Sequence, residues 1–330
     1  MNILVCSAGR HVELVNCIKK SLPLGSKVIT TSNKKFIPAL YAGDKGYIVS
    51  DIHESNYLNE IMKICEKENV NVITTMLDEE TLLLAEYRKL FENRGILMLI
   101  PDIQSARLCF DKYSMYKYLK KSQINTMRTY RNFDEFFEAF SCGEIDFPVF
   151  VKPISGKGSV GAEKVTDLNK LRKLTQKNPT LIIQEYIQGD DVDVDVYVDV
   201  FSKKAVSIFS KLKLESQIGG ASKAISFFDP ELNAYIKQIV EAFKFNGPID
   251  VDVMKKDGKY YFTEINPRFG AAYIHAYNCG VDFIKFILNN FNGVENEECI
   301  TGYLEDNIMI KYETIFSLDK EKLTIGENKI

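Results

Sequence analysis

The sequence predicts an α/β protein in which a parallel sheet is followed by a half built from antiparallel strands. The first hundred residues alternate short apolar segments with helical patterns, an order typical of a parallel sheet covered by helices. Valines then alternate with mostly acidic residues over residues 192–200, and this period of two indicates a strand. Asp257 and Gly258 separate two further apolar segments, and this dipeptide strongly favours a hairpin.

The N-terminal elements follow one another in a regular order. Helical patterns begin at Val12 and cover residues 57–67 and 80–91. The predicted strands lie at residues 2–6, 27–31, 45–49, 71–76 and 96–100. Because helices alternate with these strands, residues 1–100 are expected to form one small α/β domain.

The pattern changes after Pro101. A helix is predicted at residues 103–119 and another at 229–243. The predicted strands of this part lie at residues 147–153, 180–187, 192–200, 205–214, 249–255 and 259–265. In the strand at 192–200, one face is expected to be buried and the other to face water.

The composition excludes several classes of protein. With 45% hydrophobic and 26% charged residues, the chain resembles a folded globular protein. Its formal net charge of -3 argues against a nucleic-acid partner, since such proteins usually present a basic face. The seven cysteines form no CxxC pair, which disfavours disulfides and zinc. No signal peptide or membrane span is visible, so we expect a cytoplasmic protein with no membrane partner.

A glycine-rich segment follows the strand that ends at Pro153. Glycines let the backbone approach a phosphate and point amide groups at it, and Lys152 would add a positive charge. The segment is not a Walker A loop, because Ala162 stands where that motif needs lysine, and a flexible surface turn is the alternative. Its candidate binding residues are Ser155, Gly156, Gly158, Ser159 and Gly161.

A polar, acidic segment follows the predicted strand at residues 180–187. Its backbone groups are suited to the edge of a nucleotide base, and the Asp191 carboxylate is suited to a ribose hydroxyl. The alternative is an ordinary strand end with an acidic turn.

The predicted hairpin carries a more specific pattern. Asp250 and Asp252 lie two residues apart on one strand, and Glu264 and Asn266 lie two apart on the next, so each pair shares one side. Pairing across the hairpin is expected to place Asp252 near Glu264. Carboxylate and amide oxygens suit Mg²⁺, and Mn²⁺ accepts similar donors. Arg268 would reach a phosphate oxygen. The alternative is a solvated polar sheet face.

In this order, the motifs resemble those of the ATP-grasp superfamily. The resemblance starts at Lys112, continues through the glycine-rich segment and residues 184–191, and ends at residues 264–268. The first hundred residues resemble the domain that precedes the grasp fold in the carbamoyl-phosphate synthase large subunit and its single-unit relatives. The implied architecture is a parallel-sheet, pre-ATP-grasp domain followed by an ATP-grasp fold of two α+β subdomains. These units would span residues 1–100, 101–185 and 186–330.

The resemblance also implies roles for individual residues. Lys112 and Lys152 would hold the phosphates of ATP, and the glycine-rich segment would close over them. Asp191, standing where the family usually has glutamate, would bind the ribose. The adenine would lie against Gln184, Glu185, Tyr186 and Ile187. The Mg²⁺ ligands would be Asp252, Glu264 and Asn266, with Asp250 as an alternative, and Arg268 would steady the reacting phosphate.

The implied activity is that of an ATP-dependent ligase. A small-molecule carboxylate would be phosphorylated to an acyl phosphate and then attacked by an amine or a related nucleophile, with release of ADP and phosphate. Two alternatives stay open: a carbamoyl-phosphate-synthase-like kinase of carbamate or bicarbonate, and a non-catalytic nucleotide-binding protein. Members of the family are often homodimers.

Further residues are candidates for contacts with the phosphates or the substrate. Lys211 and Lys213 alternate on a predicted strand, so they share a face that we expect to point toward the phosphates; exposed strand lysines are the alternative. Contacts with the substrate are predicted for Arg10, Asp78, Glu79, Gly219, Gly220, Tyr273 and His275, the alternatives being helix capping and ordinary packing.

Overall fold

The structure is a computed structural model that describes residues 1–156, 161–217 and 220–320. These residues form three sheets. The predicted contacts of Gly158, Ser159 and Gly219 lie outside the described residues. Among the described helices, none combines the length and the apolar character that crossing a bilayer requires.

The N-terminal part forms a parallel sheet, as predicted, and the order of its strands is β3-β2-β1-β4-β5. The prediction of a single helix at residues 80–91 is wrong, because the structure has two helices there that are divided at Tyr87. The elements are β1 (Asn2–Cys6), α1 (Val12–Ser21), β2 (Lys27–Ser32), α2 (Pro38–Ala42), β3 (Lys45–Ile48), α3 (Tyr57–Lys67), β4 (Val72–Thr75), α4 (Asp78–Glu86), α5 (Arg88–Glu92) and β5 (Leu97–Met98).

Both faces of this sheet are buried. Ile3 and Val5 of β1 point into one apolar core, and Leu4 points into another. This explains why β1 is a continuous apolar segment rather than an alternating one. The chain adds strands on one side of β1 and then on the other, so the order reverses between β1 and β4. In such sheets a crevice forms at the carboxyl ends of the strands next to the reversal.

The middle part contains a four-stranded antiparallel sheet with the order β6-β9-β7-β8. Its core is formed by apolar residues that include Phe136, Val149 and Leu171. The elements are α6 (Ile103–Phe110), α7 (Lys112–Lys121), β6 (Thr129–Tyr130), α8 (Phe133–Ser141), β7 (Val149–Pro153), β8 (Glu163–Val165), α9 (Leu168–Lys177) and β9 (Leu181–Glu185).

The single helix predicted at residues 103–119 is wrong, because the chain breaks at Asp111. The backbone of Asp111 is extended, and its carboxylate accepts hydrogen bonds from the amides of Tyr113 (3.0 Å) and Ser114 (2.8 Å). Asp111 is therefore the N-cap of α7. Lys112 follows as the first residue of α7, and its amide donates to the carbonyl of Ile154 at 3.0 Å. The break thus holds Lys112 beside the start of the glycine-rich segment.

The last part is a six-stranded antiparallel sheet with the order β14-β13-β10-β11-β12-β15. The predicted hairpin is confirmed as β13 and β14. Gly220, for which a substrate contact was predicted, is the first residue of β12. The elements are β10 (Asp190–Val198), β11 (Ala205–Gln217), β12 (Gly220–Phe227), α10 (Pro230–Glu241), β13 (Gly247–Lys256), β14 (Lys259–Asn266), α11 (Tyr273–Asn278), α12 (Phe283–Phe291) and β15 (Ile308–Ile310).

The prediction that one face of β10 faces water is wrong. Its valines pack in the core that contains Leu232 of α10, while Asp193 and Asp195 on the opposite face are also buried. The chain between β14 and α11 covers that face so closely that a β-carbon on Gly270 would lie 2.4 Å from the Asp195 Oδ1 atom. The alternating pattern therefore belongs to a strand that is covered on both faces. One face carries the valines, and the other carries the aspartates.

We predict that Asp111→Ala lowers the free energy of unfolding by about 1 kcal/mol, because two amide groups of α7 lose their acceptor. Urea denaturation followed by circular dichroism measures this loss. Asp134→Ala is the matched control, since Asp134 is exposed in the first turn of α8 and Asn132 is the N-cap there. Equal stability of the Asp111 variant and the wild type would contradict the assignment of Asp111 as a stabilising cap.

Candidate active site

A cleft of about 360 Å³ lies between the four-stranded sheet and the six-stranded sheet. Its walls come from the end of β7, the connection between β9 and β10, the N-terminus of α7 and the hairpin of β13 and β14. The predicted binding residues that line it are Lys112, Lys152, Ser155, Gly156, Gln184, Glu185, Tyr186, Ile187, Asp191, Lys213, Asp252 and Glu264. The fold therefore brings together segments that are far apart in the sequence.

The hairpin places its acidic and amide side chains as predicted. Asp252 lies opposite Glu264, and Asp250 lies opposite Asn266. The side chains of Asp252 and Glu264 keep 23% and 28% of their surface exposed to the cleft. Burial raises the pKa of Asp252 to about 6, and Asp193 and Asp191 act in the same direction, whereas Lys213 lowers it.

Each of these two carboxylates is paired with a lysine from another element. Lys112 Nζ of α7 lies 3.0 Å from Glu264 Oε1, and Lys213 Nζ of β11 lies 2.5 Å from Asp252 Oδ1. Asn266 donates its side-chain amide to Asp250 Oδ2 at 3.3 Å, which leaves its amide oxygen as an acceptor. The donor set of Asp252, Glu264 and Asn266 fits Mg²⁺, which prefers oxygen ligands.

Two lysines lie beside the glycine-rich wall of the cleft. Lys112 Nζ donates to the carbonyl of Gly156 at 2.9 Å, and Lys152 lies at the end of β7 on the same wall. Burial lowers the pKa of Lys152 to about 8; Lys112 also lowers it, and Glu264 acts against this shift. This concentration of positive charge beside two carboxylates suits a polyanion that arrives with a cation.

The connection between β9 and β10 forms the far end of the cleft. Gln184 is buried and donates from Nε2 to Thr129 Oγ1 at 2.9 Å, which orients the end of β9. Gly189 is required there, because a β-carbon would lie 2.2 Å from the carbonyl oxygen of Lys255. Asp191 Oδ1 lies 2.9 Å from Lys213 Nζ, so Lys213 bridges the predicted ribose ligand and Asp252.

Lys211 has a different environment from Lys213 although both project from the same face of β11. Its side chain is 0% exposed, and its Nζ lies 2.9 Å from Asp193 Oδ1 and 2.5 Å from Asp195 Oδ2. Burial acts to lower the pKa of Lys211, but these two carboxylates outweigh it and raise the pKa. Lys211 does not line the cleft, so the position of its side chain gives it a structural role beneath the site.

Asp193 and Asp195 lie beneath the candidate site, and sequence reasoning did not select them. Together with Asp250, they offer carboxylate oxygens that lie within 4.8 Å of one another. Burial raises the pKa of Asp250 well above its ordinary value, and Asp193 and Asp252 add to this effect. The sequence contained a signal for this cluster: Asp193 and Asp195 alternate with valines on one predicted strand, and Lys211 lies on the next.

Arg268 connects this charged face to the N-terminal sheet. Its Nε donates to Asp78 Oδ1 at 2.9 Å, its Nη1 donates to the carbonyl of Phe269 at 2.9 Å, and Nη1 lies 3.7 Å from Asp250 Oδ2. Asp78 is the first residue of α4, which follows β4. The arginine therefore joins the hairpin to the carboxyl edge of the parallel sheet.

The remaining residues that were predicted to contact the substrate lie in different environments. Asp78 and Glu79 line a second cavity beside Glu264, whereas Arg10 is exposed on the loop after β1. Tyr273 and His275 are buried, and neither lines the cleft or the second cavity. Tyr273 accepts from the amide of Phe283 at 2.8 Å, and His275 Nε2 lies 3.0 Å from the carbonyl of Asn307. Their prediction as pocket residues is not supported by this packing.

Comparison with known proteins identifies the family. Residues 109–272 match the family model of the ATP-grasp domain, and residues 3–99 match that of the PylC-like N-terminal domain. The chain belongs to the ATP-grasp superfamily. The cleft described above lies in the part that matches the ATP-grasp domain, and membership supports an enzyme of the ligase type.

The curated relatives include carbamoyl phosphate synthase large chains and D-alanine–D-alanine ligases. The chain is 26% identical over 280 residues to the carbamoyl phosphate synthase large chain of Thermoanaerobacter sp.; the match covers 79% of this chain and 25% of that protein. It is 24% identical over 247 residues to D-alanine–D-alanine ligase of Bacillus anthracis, covering 66% of this chain and 79% of the ligase. The chain thus spans about a quarter of the length of the large chains that it matches.

Solved structures show the same fold. The chain superposes on biotin carboxylase from Campylobacter jejuni with a TM-score of 0.69 and 18% identity, covering 88% of this chain and 71% of that one. It superposes on carboxyaminoimidazole ribonucleotide synthase from Aspergillus clavatus, solved in complex with ATP, with a TM-score of 0.69 and 14% identity. That match covers 89% of this chain and 77% of the synthase.

We predict that Lys211→Met lowers the free energy of unfolding by about 3–5 kcal/mol, because it leaves Asp193 and Asp195 buried without their cation. Chemical denaturation measures the loss. Lys223→Met is the control, since Lys223 pairs with Glu215 at the surface and its removal is expected to leave stability near that of the wild type. A Lys211 variant as stable as the control would contradict the structural role of Lys211.

Proposed function

We propose that the protein is an ATP-dependent carboxylate–amine ligase that works through an acyl phosphate. The observation that carries the proposal is the cleft in which Lys112 and Lys152 face Asp252 and Glu264. The catalytic domains are residues 101–185 and 186–330, preceded by residues 1–100. The substrates are ATP, a small-molecule carboxylate and an amine or a related nucleophile.

The nucleotide lies along the cleft. Its base contacts the segment from Gln184 to Ile187, and its ribose contacts Asp191. Lys112 and Lys152 bind the phosphates, and Ser155 and Gly156 at the start of the glycine-rich segment line the cleft beside them. Asp252, Glu264 and Asn266 would hold Mg²⁺, or Mn²⁺ in its place, and the ion would supply positive charge that offsets the anionic phosphates.

The same two lysines are suited both to the carboxylates and to the phosphates. Lys112 and Lys213 neutralise Glu264 and Asp252. With Mg²⁺ held by those carboxylates, both ammonium groups would be available to phosphate oxygens. The lysines would thus offset repulsion between the acidic side chains and also neutralise the phosphates.

The chemistry consists of two displacements. A carboxylate oxygen of the substrate attacks the γ-phosphorus, and the bond to the β-phosphate oxygen breaks, releasing ADP. The amine then attacks the acyl carbon, phosphate leaves with the electron pair of the carbon–oxygen bond, and the amine loses a proton. Arg268 lies near the hairpin, where it steadies the phosphate. Enclosure of the cleft excludes water from the acyl phosphate.

A second candidate function is phosphorylation of carbamate or bicarbonate. The similarity to carbamoyl phosphate synthase large chains favours it. Release of ADP that depends on bicarbonate alone would support this candidate. Release that depends on an organic carboxylate would support the ligase, and no nucleotide turnover with any acid would favour a non-catalytic nucleotide-binding protein.

We predict that Asp252→Asn and Glu264→Gln each lower ATP turnover by about 100-fold or more. Each variant would hold Mg²⁺ less tightly, so the positive charge of the ion would stabilise the phosphates less in the transition state. The assay measures ADP release across a panel of carboxylates, with hydroxylamine as a general nucleophile. Glu215→Gln is the matched control, because Glu215 is an exposed residue at the surface end of β11. Unchanged turnover in both hairpin variants would refute the catalytic assignment.

We predict that kcat/KM for ATP falls as the pH rises through about 8. The pKa of Lys152 is lowered to about 8, so its side chain is charged below this pH and loses its attraction for phosphate above it. A pH–rate profile of the wild type is compared with that of Lys152→Arg. The arginine stays charged, so the fall is expected to move to higher pH. Identical profiles would show that Lys152 is not the titrating group.

A further inference from the structure

Three cavities follow one another from the ATP cleft to the carboxyl edge of the parallel sheet. The second cavity, of about 170 Å³, shares Gly156 and Glu264 with the cleft. The third, of about 200 Å³, shares Leu77 and Glu79 with the second. The row begins where the γ-phosphate is proposed to lie and ends in the N-terminal domain.

The middle cavity is mainly apolar. Its polar ends are formed by Glu264 and Asn266 on one side and by Asp78 and Glu79 on the other. Between them the lining residues are Leu77, Ala106, Cys109, Phe110, Ile265 and Pro267. A cavity of this shape and composition suits a short hydrocarbon segment with polar groups at both ends.

The third cavity is polar and acidic. It lies at the carboxyl ends of β1, β2, β3 and β4, and it therefore includes the crevice expected between β1 and β4, where the strand order reverses. Among the described residues that line it, Asp51 and Glu79 are carboxylates, His53 lies with its Nε2 atom 3.9 Å from Glu79 Oε2, and none is lysine or arginine. Lys34 and Lys35 follow β2 but do not belong to this lining. The local charge therefore favours a cation.

Two polar groups of this cavity, the Asp51 carboxylate and the Tyr57 hydroxyl, are suited to bind a ligand. Asp51 accepts from Asn33 Nδ2 at 2.8 Å and from the amide of His53 at 3.2 Å, which fixes its carboxylate. Tyr57 also lines the cavity; it is only 1% exposed, and its hydroxyl has no hydrogen-bond partner among the residues that the structure describes. A buried hydroxyl without a partner is costly, so a polar ligand would stabilise it.

This inference rests on the proposed function. We propose that the second and third cavities bind one extended carboxylic acid whose far end carries a primary amine. The carboxylate lies at the Gly156 and Glu264 end, beside the reacting phosphate. The hydrocarbon chain passes through the apolar middle cavity. The ammonium group lies in the third cavity, where Glu79 and Asp51 neutralise it.

The test compares acids that differ only in the distal amine. A series of ω-amino acids from 4-aminobutanoate to 7-aminoheptanoate is assayed beside the unsubstituted acid of each length, with MgATP and hydroxylamine. Formation of hydroxamate and ADP reports the acyl phosphate whatever the natural nucleophile is. One or more ω-amino acids are expected to show a KM about tenfold or more below that of the unsubstituted acid.

Two variants locate the amine. Glu79→Gln and Asp51→Asn are each expected to raise the KM for the preferred ω-amino acid by about tenfold, without changing the KM for the unsubstituted acid or for ATP. Glu13→Gln, an exposed acid on α1, is the matched control and is expected to behave as the wild type. Equal effects on both kinds of acid would overturn the proposal.

Failure of this inference is distinguishable from failure of the proposed function. Titration calorimetry measures the binding of MgADP to the wild-type protein. If MgADP does not bind, the proposed function fails and the inference fails with it. If MgADP binds and no ω-amino acid is used better than its unsubstituted partner, the extended substrate alone is refuted.

Discussion

The site depends on charge compensation between carboxylates of one hairpin and lysines that come from other elements. Register alone would place Asp252 and Glu264 side by side, where two negative charges repel each other. Lys213 from β11 and Lys112 from α7 offset that repulsion. Because Lys112 also contacts the carbonyl of Gly156, the same pairing holds the glycine-rich wall of the cleft against the hairpin. The shape of the cleft therefore follows from its electrostatics.

A second set of charged residues is buried beneath the lysine–carboxylate pairs of the cleft. Lys211 is enclosed with Asp193 and Asp195, and the chain after β14 closes over this face at Gly270. Buried ion pairs contribute little net stability, but breaking one is costly, so such a cluster fixes the arrangement around it. Arg268 extends the network to Asp78 at the edge of the parallel sheet. The proposed metal ligands, Arg268 and the N-terminal parallel sheet are thus held in fixed positions relative to one another.

The sequence predicted the parts of this arrangement that depend on local pattern. The parallel strands of the first hundred residues, the hairpin and the facing of Asp252 with Glu264 follow from periodicity and turn chemistry, and the structure confirms them. The break at Asp111 was missed because a capping aspartate resembles any polar residue in a helical pattern. The burial of the acidic face was missed because it depends on the covering of β10 by a distant segment, which no local period encodes.

The most direct test of the account is a crystal structure with a non-hydrolysable ATP analogue and Mg²⁺. The account predicts a cation between Asp252 and Glu264, with Lys112 Nζ and Lys213 Nζ moved from these carboxylates to phosphate oxygens. Nucleotide bound in another place, or both lysines still paired with the carboxylates beside the bound nucleotide, would contradict it.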